Sequence, residues 1–488
     1  MRLAGMKNNS VKYATEIMNF TTEIANIMAP PEVRARKNYT HQVMTISELQ
    51  NLTDPDAKHW NWTTYMNALF ERTDVTVDPK IDTVYIHDMG YYKGLPSLLS
   101  EISPGIIARY VWWEIYFKLT LQTAKDSRDY SAQFGKYAYS YEPTWYGCTK
   151  VVKNIFDMAL TAAYVEKHFN AQNKKTATEM WTDLSSSFDE MLTEYKWIDD
   201  ETKARAHRKL KAMNASMAYP EWITDRAKLE EHFKEYEGFS GSMVDMYKNL
   251  KSNKRKQLLN RWKQTTTKTN TWRISGTEVN ARYTPSTNII TIGSGVLREP
   301  FYGNAAEALN YGALGALMGH ELTHGFDIYG QQYSENGTIQ DWWSPESLKH
   351  YDHKVDCVMK QYSGFKVTQL GKKVKLDGTH TGDENVADMG GLAVAFKAYK
   401  KLKARSKPQP PIAALAKYTD EQLFFLGYAQ MWCDSFKNTE LRHFIRGDIH
   451  SPGRFRVNGA LLNSNDFVKV WNCPSGSAMN PEKKCTVW

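Results

Sequence analysis

Cysteine is scarce in this 488-residue chain, and none of the five, Cys148, Cys357, Cys433, Cys473 and Cys485, belongs to a CxxC pair. That argues against a thiolate metal site. No window approaches the roughly 18 consecutive apolar residues of a membrane span, and the opening "MRLAGMKNNSVKYATEIMNF" lacks the apolar core of a signal peptide. Repeats of solenoid period are absent, and low complexity is confined to the short "SKPQPPIA" loop around Pro408 to Pro411. Neither sign of charge dominates: 62 basic against 54 acidic residues leave a net +8, mostly mixed along the chain. The densest basic runs, "KSNKRKQLLNRWKQ" (Lys251 to Gln264) and "KAYKKLKARSK" (Lys397 to Lys407), carry apolar residues at helical spacing and read as solvated helix faces. A nucleic-acid partner has only these two runs in its favour, so none is expected.

What the chain has is length, with 42% hydrophobic and 13% aromatic residues, enough for a large core divided over two or three domains. Up to about Tyr219 the pattern is helical: "TISELQNL" carries a cap, while "VWWEIYFKLTLQTAKDSRDYSAQFGKY" and "NIFDMALTAAYVEKHF" are long amphipathic stretches. The segment "EYKWIDDETKARAHRKLKAMNASMAYPEW" opens on acidic residues, turns basic, and is expected to end as a helix near Pro220. Beyond residue 270, "TEVNARYTPSTNIITIGSGVL" reads as strand, turn, strand, followed by helices in "NAAEALNYGALGALMGHELTHGF" and "ENVADMGGLAVAFKAYKKLKA". Sequons stand at Asn8, Asn19, Asn38, Asn51, Asn61, Asn214 and Asn336, where chance gives about half as many. An odd cysteine count leaves two readings open: buried free thiols in a cytosolic protein, or an extracellular protein whose disulfide partners lie partly outside this chain.

The stretch "MGHELTHGFDIYG" holds the sharpest chemical signal. Residues four apart share a helix face, so His320 and His324 can present two imidazoles to one ion. Glu321 lies about 100° further round and can reach a water at the ion's open position without occupying it. Composition alone yields HExxH in roughly one or two per hundred chains of this length, so the motif needs support. "GDENVADMGG" supplies it: Glu384 and Asp388, four apart on a second helix, offer a third ligand and an acceptor for the free ring N–H of a ligating histidine.

These residues resemble the neprilysin and endothelin-converting-enzyme family of zinc endopeptidases. "NARY" at Asn280 to Tyr283 is similar to that family's Asn-Ala-x-Tyr signature, "GHELTHGFD" to its zinc helix, and "DENVAD" (Asp383 to Asp388) to its "GENIAD"-type segment. "DIHSPGRFRVNGALLNSNDFVKVWNC" and the closing "MNPEKKCTVW" are similar to the family's end. The resemblance implies one zinc per chain on His320, His324 and Glu384, with Glu321 as general base and Asp388 as orienting partner. It implies His450 as donor to the reaction's oxyanion, with Asp448 orienting it. Asn280, the carbonyl of Ala281 and Arg456 would hold the peptide, and Val296, Phe301, Leu317, Met431 and Trp432 would line an apolar subsite just after the scissile bond. Arg282 departs from the aromatic residue common at its position, which leaves substrate preference there open.

The fold so implied is mainly α with a smaller β component: a helical domain over 1–220, restricting access to the cleft, and a thermolysin-like α+β zinc catalytic domain over 221–488. The resemblance further implies that Cys357 pairs with Cys485, while Cys148, Cys433 and Cys473 would find partners in a preceding segment that carries the membrane span. The expectation is then an N-terminally truncated, glycosylated, extracellular or cell-surface metalloendopeptidase that cleaves peptides before hydrophobic residues. The competing reading is a catalytically silent peptide-binding relative or a non-functional fragment.

Overall fold

A computed structural model of the chain describes residues 9–488 except 31–32, 34–41, 135–142, 237–239, 264–271, 273, 304–305, 408 and 411. The sequons at Asn8 and Asn38, the end of the first basic run at Gln264, and Pro408 and Pro411 lie outside the described residues. The chain divides into two compact units, Met1–Phe156 with Glu230–Thr265 and Asp157–Leu229 with Thr266–Trp488.

The first unit is helical apart from strands β1 (Gln42–Thr45) and β2 (Thr83–Ile86), which pair antiparallel from Gln42 opposite Ile86 to Thr45 opposite Thr83. Thr45 ends its strand by starting a helix. Its side chain accepts the Glu48 N–H at 3.1 Å while the Glu48 carboxylate accepts the Thr45 N–H at 2.7 Å, the reciprocal cap expected from "TISELQNL". Met44, Ile46, Leu49, Trp62 and Ile86 then bury together, with Trp262 packed against them. The stretch from Val111 divides into helices Pro104–Thr123 and Lys125–Phe134, because Ala124 between them is extended.

The second unit begins with helix α1 (Ala171–Glu194), which buries Ala177, Met180, Leu184, Phe188 and Met191 at three- and four-residue steps, one continuous apolar face. Helix α2 (Asp200–Ala212) follows. The sequence pattern runs this helix on towards Pro220; instead it ends at Ala212, and Asn214–Ala218 forms strand β3, parallel to β5 (Ile289–Gly293) with Asn214 opposite Ile289 and Ala218 opposite Gly293. Long-range pairing overrides the helix propensity of "NASMA". Strand β4 (Ala281–Thr284) joins β5 as the expected hairpin, giving the sheet order β3-β5-β4 and leaving β4 at an edge.

This pairing places residues on both sides of Pro220 in the second unit. Residues 157–229 belong with the second unit because α1 packs on helix α5 (Gly382–Arg405) and β3 lies in its sheet, whereas 230–265 returns to the first unit through Leu250 and Trp262. Between β5 and α5 run helices α3 (Ala316–Thr323) and α4 (Pro345–Ser363); helices α6 (Asp420–Met431) and α7 (Gly453–Asn463) follow. The basic run at the end of α5 is met by acids: Lys397 contacts Glu194 at 2.6 Å, Lys401 contacts Glu190 at 2.6 Å, and Lys403 contacts Glu421 at 2.8 Å.

The chain end is fixed to the same unit. Cys357 on α4 is bonded to Cys485, and the Trp488 ring lies 5.7 Å from Phe188 and 5.9 Å from Phe326. Among the described residues Cys148, Cys433 and Cys473 carry free thiols.

Asp199 joins two helix starts in this unit. It caps α2 by accepting the Thr202 N–H at 2.9 Å, and it also accepts the hydroxyls of Ser344 and Ser347 at the start of α4. Burial raises its carboxyl, but these hydrogen bonds outweigh burial and hold it well below the usual range. A depressed folded pKa gives stability that is full above the unfolded carboxylate pKa and lost as pH falls through the lower folded one. Urea unfolding of Asp199→Ala is expected to show a deficit of about 1–2 kcal/mol at neutral pH. The deficit should hold down to pH ~4 and shrink below it.

Candidate active site

The site begins with an unusual run of helix. A π-helical turn, Tyr311–Gly315, leads into α3, all eight of whose residues are buried. The next long helix against it, α5, is buried from Glu384 to Leu392. Two glycines permit the approach: a Cβ on Gly391 would stand 2.5 Å from the backbone nitrogen of His320, and one on Gly319 would stand 2.8 Å from the Gly391 carbonyl. With only glycines at the closest approach, imidazoles at the end of α3 reach carboxylates on α5 directly.

Three ligand atoms converge there. The Nε2 atoms of His320 and His324 are 2.9 Å apart, and Glu384 Oε2 lies 3.2 Å from the first and 3.6 Å from the second. His320, His324 and Glu384 form the one group of three among the described residues whose ligand atoms all lie within 4.8 Å of one another. Glu384 Oε2 is buried and makes no well-directed hydrogen bond, although three imidazole nitrogens surround it. Two imidazoles and a carboxylate are the donor set of a hydrolytic zinc site, and an orphaned carboxylate oxygen facing them fits a cation at their centre.

Each imidazole is held from behind. Asp388 Oδ1 lies 2.9 Å from His320 Nδ1, and Asp327 Oδ2 lies 2.5 Å from His324 Nδ1. Asp388 was expected in this place; Asp327 was not given a role. Its signal in the sequence is its position three residues beyond His324, on the turn that follows the helix. Burial lowers the His324 pKa, but the charges of Glu384 and Asp327 and their hydrogen bonds prevail and raise it well above the ordinary value. Burial likewise raises Glu384, and the charge of His324 with the three imidazole contacts takes it well below the usual carboxylate range. Asp383, next in line, goes the other way: burial and the Asp327 charge push it up.

Glu321 is 5% exposed, and no hydrogen bond or ion pair engages its carboxylate among the described residues. His450 sits on the more open side, with Nδ1 2.7 Å from Asp448 Oδ1 and Nε2 3.2 Å from Glu384 Oε2. Arg456, on α7, is buried and bidentate: Nε and one terminal nitrogen reach the two Asp388 oxygens at 2.7 and 2.6 Å. Its guanidinium stacks 3.5 Å above the Trp432 ring. Of the expected apolar subsite, Trp432 thus lies against the site, while Val296, Leu317 and Met431 are buried and Phe301 is half-buried. Asn280 is exposed just before edge strand β4, and Ala281 is buried at its start.

A model of peptidase family M13 matches residues 280–487, and a second model of the same family matches residues 1–220. The chain belongs to peptidase family M13. This M13 chain is 32% identical over 492 residues to neprilysin-2 of Caenorhabditis elegans, with 97% of the chain and 65% of that protein covered. It is 32% identical over 485 residues to endothelin-converting enzyme 1 of Homo sapiens, with 97% of the chain and 60% of that protein covered. The chain therefore spans 60–65% of the length of these relatives. Its fold is similar to that of the Mycobacterium tuberculosis zinc metalloprotease ZMP1 in complex with inhibitor, with a TM-score of 0.84 and 23% identity over 98% of this chain and 70% of that one. PepO from Lactobacillus rhamnosis HN001 gives a TM-score of 0.82 at 23% identity, covering 99% and 72%.

The helix contact can be tested without touching a charged group. Gly391→Ala places a methyl against the His320 backbone, and overpacking of this kind costs about 1–3 kcal/mol while pushing α3 and α5 apart. Zinc measured by chelator competition should bind at least ~10-fold more weakly to this variant. Unchanged affinity would show that the close approach does not set the site.

Proposed function

We propose that the protein is a zinc-dependent metalloendopeptidase, with one zinc per chain, that hydrolyses oligopeptides on the amino side of hydrophobic residues. The observation that carries this reading is the convergence of His320, His324 and Glu384 beside a buried Glu321 that is otherwise unengaged. Membership of family M13 and similarity to neprilysin-2 and endothelin-converting enzyme 1 support it.

Bound by the two imidazoles and Glu384, zinc supplies Lewis acidity for the scissile carbonyl and for a water molecule. Glu321 accepts the proton of the attacking water and passes it to the amine nitrogen as the C–N bond breaks. Asp388 and Asp327 fix the tautomers of His320 and His324, so that each presents Nε2 as a lone pair. Negative charge gathering on the carbonyl oxygen needs a preorganised donor, and His450 offers its Nε2–H with Nδ1 held by Asp448. The β4 edge can take an extended peptide through main-chain hydrogen bonds, with Asn280 and the Ala281 carbonyl setting register. Asp388 leaves Arg456 one terminal nitrogen for a substrate carbonyl beyond the cut. Val296, Phe301, Leu317, Met431 and Trp432 make up the apolar subsite in this reading.

An extracellular or cell-surface setting is part of the proposal. The sequons at Asn19, Asn51, Asn61, Asn214 and Asn336 are all exposed, and the Cys357–Cys485 bond suits an oxidising compartment. No helix of the described residues is long and apolar enough to cross a membrane.

Glu321→Gln is expected to lower kcat by about 10²–10⁴-fold with zinc content and thermal unfolding unchanged. Cleavage should vanish on exhaustive chelation and return with zinc; hydrolysis that survives metal removal would rule the mechanism out. Paired test peptides that differ only after the scissile bond should favour phenylalanine or leucine over serine in kcat/KM by at least ~10-fold.

A further inference from the structure

Lys209 lies on the buried face of α2 with 1% of its surface exposed. Its Nζ donates to the Gly330 carbonyl at 2.6 Å and to the Tyr333 carbonyl at 2.7 Å. The Phe326 and Trp342 rings stand 5.5 and 5.8 Å from the same nitrogen. Burial pushes the Lys209 pKa down to about 7, opposed by the charges of Asp327 and Glu335. Packing alone would be served by an apolar side chain of equal length, without the cost of desolvating an amine.

The loop that Lys209 grips is the return from the ligand helix. Within it, the N–H groups of Tyr329 and Gly330 donate to Asp327 Oδ1 at 3.0 and 2.6 Å, and Asp327 Oδ2 faces His324 Nδ1. Gly330 thus links the two ends, with its N–H on Asp327 and its carbonyl on Lys209. It also rests on the ligand helix, since a Cβ there would stand 1.8 Å from the His324 carbonyl oxygen. In the other direction the Lys209 carbonyl accepts from Asn288 Nδ2 at 3.0 Å, and Asn288 Oδ1 accepts the Tyr283 hydroxyl at 3.0 Å, which fixes the β4–β5 turn.

We propose that Lys209 is a positioning residue for the metal ligand His324, acting through the Gly330 peptide and Asp327. This rests on the reading of His320, His324 and Glu384 as zinc ligands. Lys209 sets where the loop's amides lie, the amides set the Asp327 carboxylate, and the carboxylate sets the tautomer and angle of the His324 ring.

The test uses the full chain with Lys209→Met, Asp327→Asn, the double variant, and Leu210→Ala as a buried neighbour on α2. Zinc affinity by chelator competition should fall about 10–100-fold in Lys209→Met. In Leu210→Ala it should stay within about twofold of wild type, even though the fold is weakened. In metal-free protein, hydrogen exchange at the Tyr329 and Gly330 amides should accelerate in Lys209→Met; in zinc-loaded protein, kcat should fall with KM unchanged. The double variant should bind zinc no more weakly than Asp327→Asn alone, since both substitutions break one chain of contacts. Wild-type zinc affinity in folded Lys209→Met, or additive losses in the double variant, overturns the proposal. Should the methionine variant not fold, Lys209→Gln is measured for zinc affinity and exchange and judged by the same outcomes. Wild-type protein that binds no zinc refutes the metal-site reading itself; wild-type binding with unaltered variants refutes only the role of Lys209.

Discussion

The backbone contact between α3 and α5 is the constraint on which the site depends. Gly319 and Gly391 bring the helices so close that an added methyl would stand 2.5 Å from the His320 nitrogen. At that separation two imidazoles from one helix and two carboxylates from the other occupy a single buried volume. The consequence is electrostatic. Glu321, Asp327, Asp383, Glu384 and Asp388 crowd the two histidines, against one arginine at Arg456 and the amine of Lys209. Buried acids in excess need positive charge from somewhere. The shifts of His324 and Asp383 run in the direction this excess requires, since both pKa values are raised and each group holds a proton more firmly than it would in water. A divalent ion held by His320, His324 and Glu384 would do the same work at one point, so metal and proton would compete for the same cluster.

Arg456 shows how the surrounding structure serves that cluster. It neutralises Asp388 with two hydrogen bonds and covers the Trp432 ring, so one side chain on α7 joins α5 to the end of α6. The resemblance implies that Arg456 binds the substrate; two of its five N–H donors go to Asp388. The two roles are compatible because the guanidinium is a planar fork with donors on more than one side.

What the sequence made legible follows from how local each signal is. The Thr45–Glu48 cap, the β4–β5 hairpin and the His320–His324 pair are set by residues three to five apart, and all three stand as expected. Strand β3 was not legible, because "NASMA" has no strand pattern of its own and becomes a strand only through pairing with Ile289–Gly293 some seventy residues on. Asp327 was in view in "GHELTHGFD", but its aim at His324 depends on a turn held by Gly330 and Lys209, and Lys209 lies 121 residues from the carbonyl that it binds. Spacing can place two histidines on one face; it cannot say what stands behind them.

Burial orders the site from back to front. Behind the ligand helix, Phe326 packs on Phe188 and Trp488, and the Cys357–Cys485 bond fixes the chain end that carries Trp488. The ligands themselves are nearly closed off, His320 at 3% and Glu384 at 5% exposure, whereas the His450 side chain is 39% exposed. On the proposed function, a peptide meets His450 before it meets His320 and Glu384. That order suits hydrolysis, since groups that must hold a fixed geometry sit where packing fixes them. His450, the donor in the proposed mechanism, sits at the side that solvent reaches.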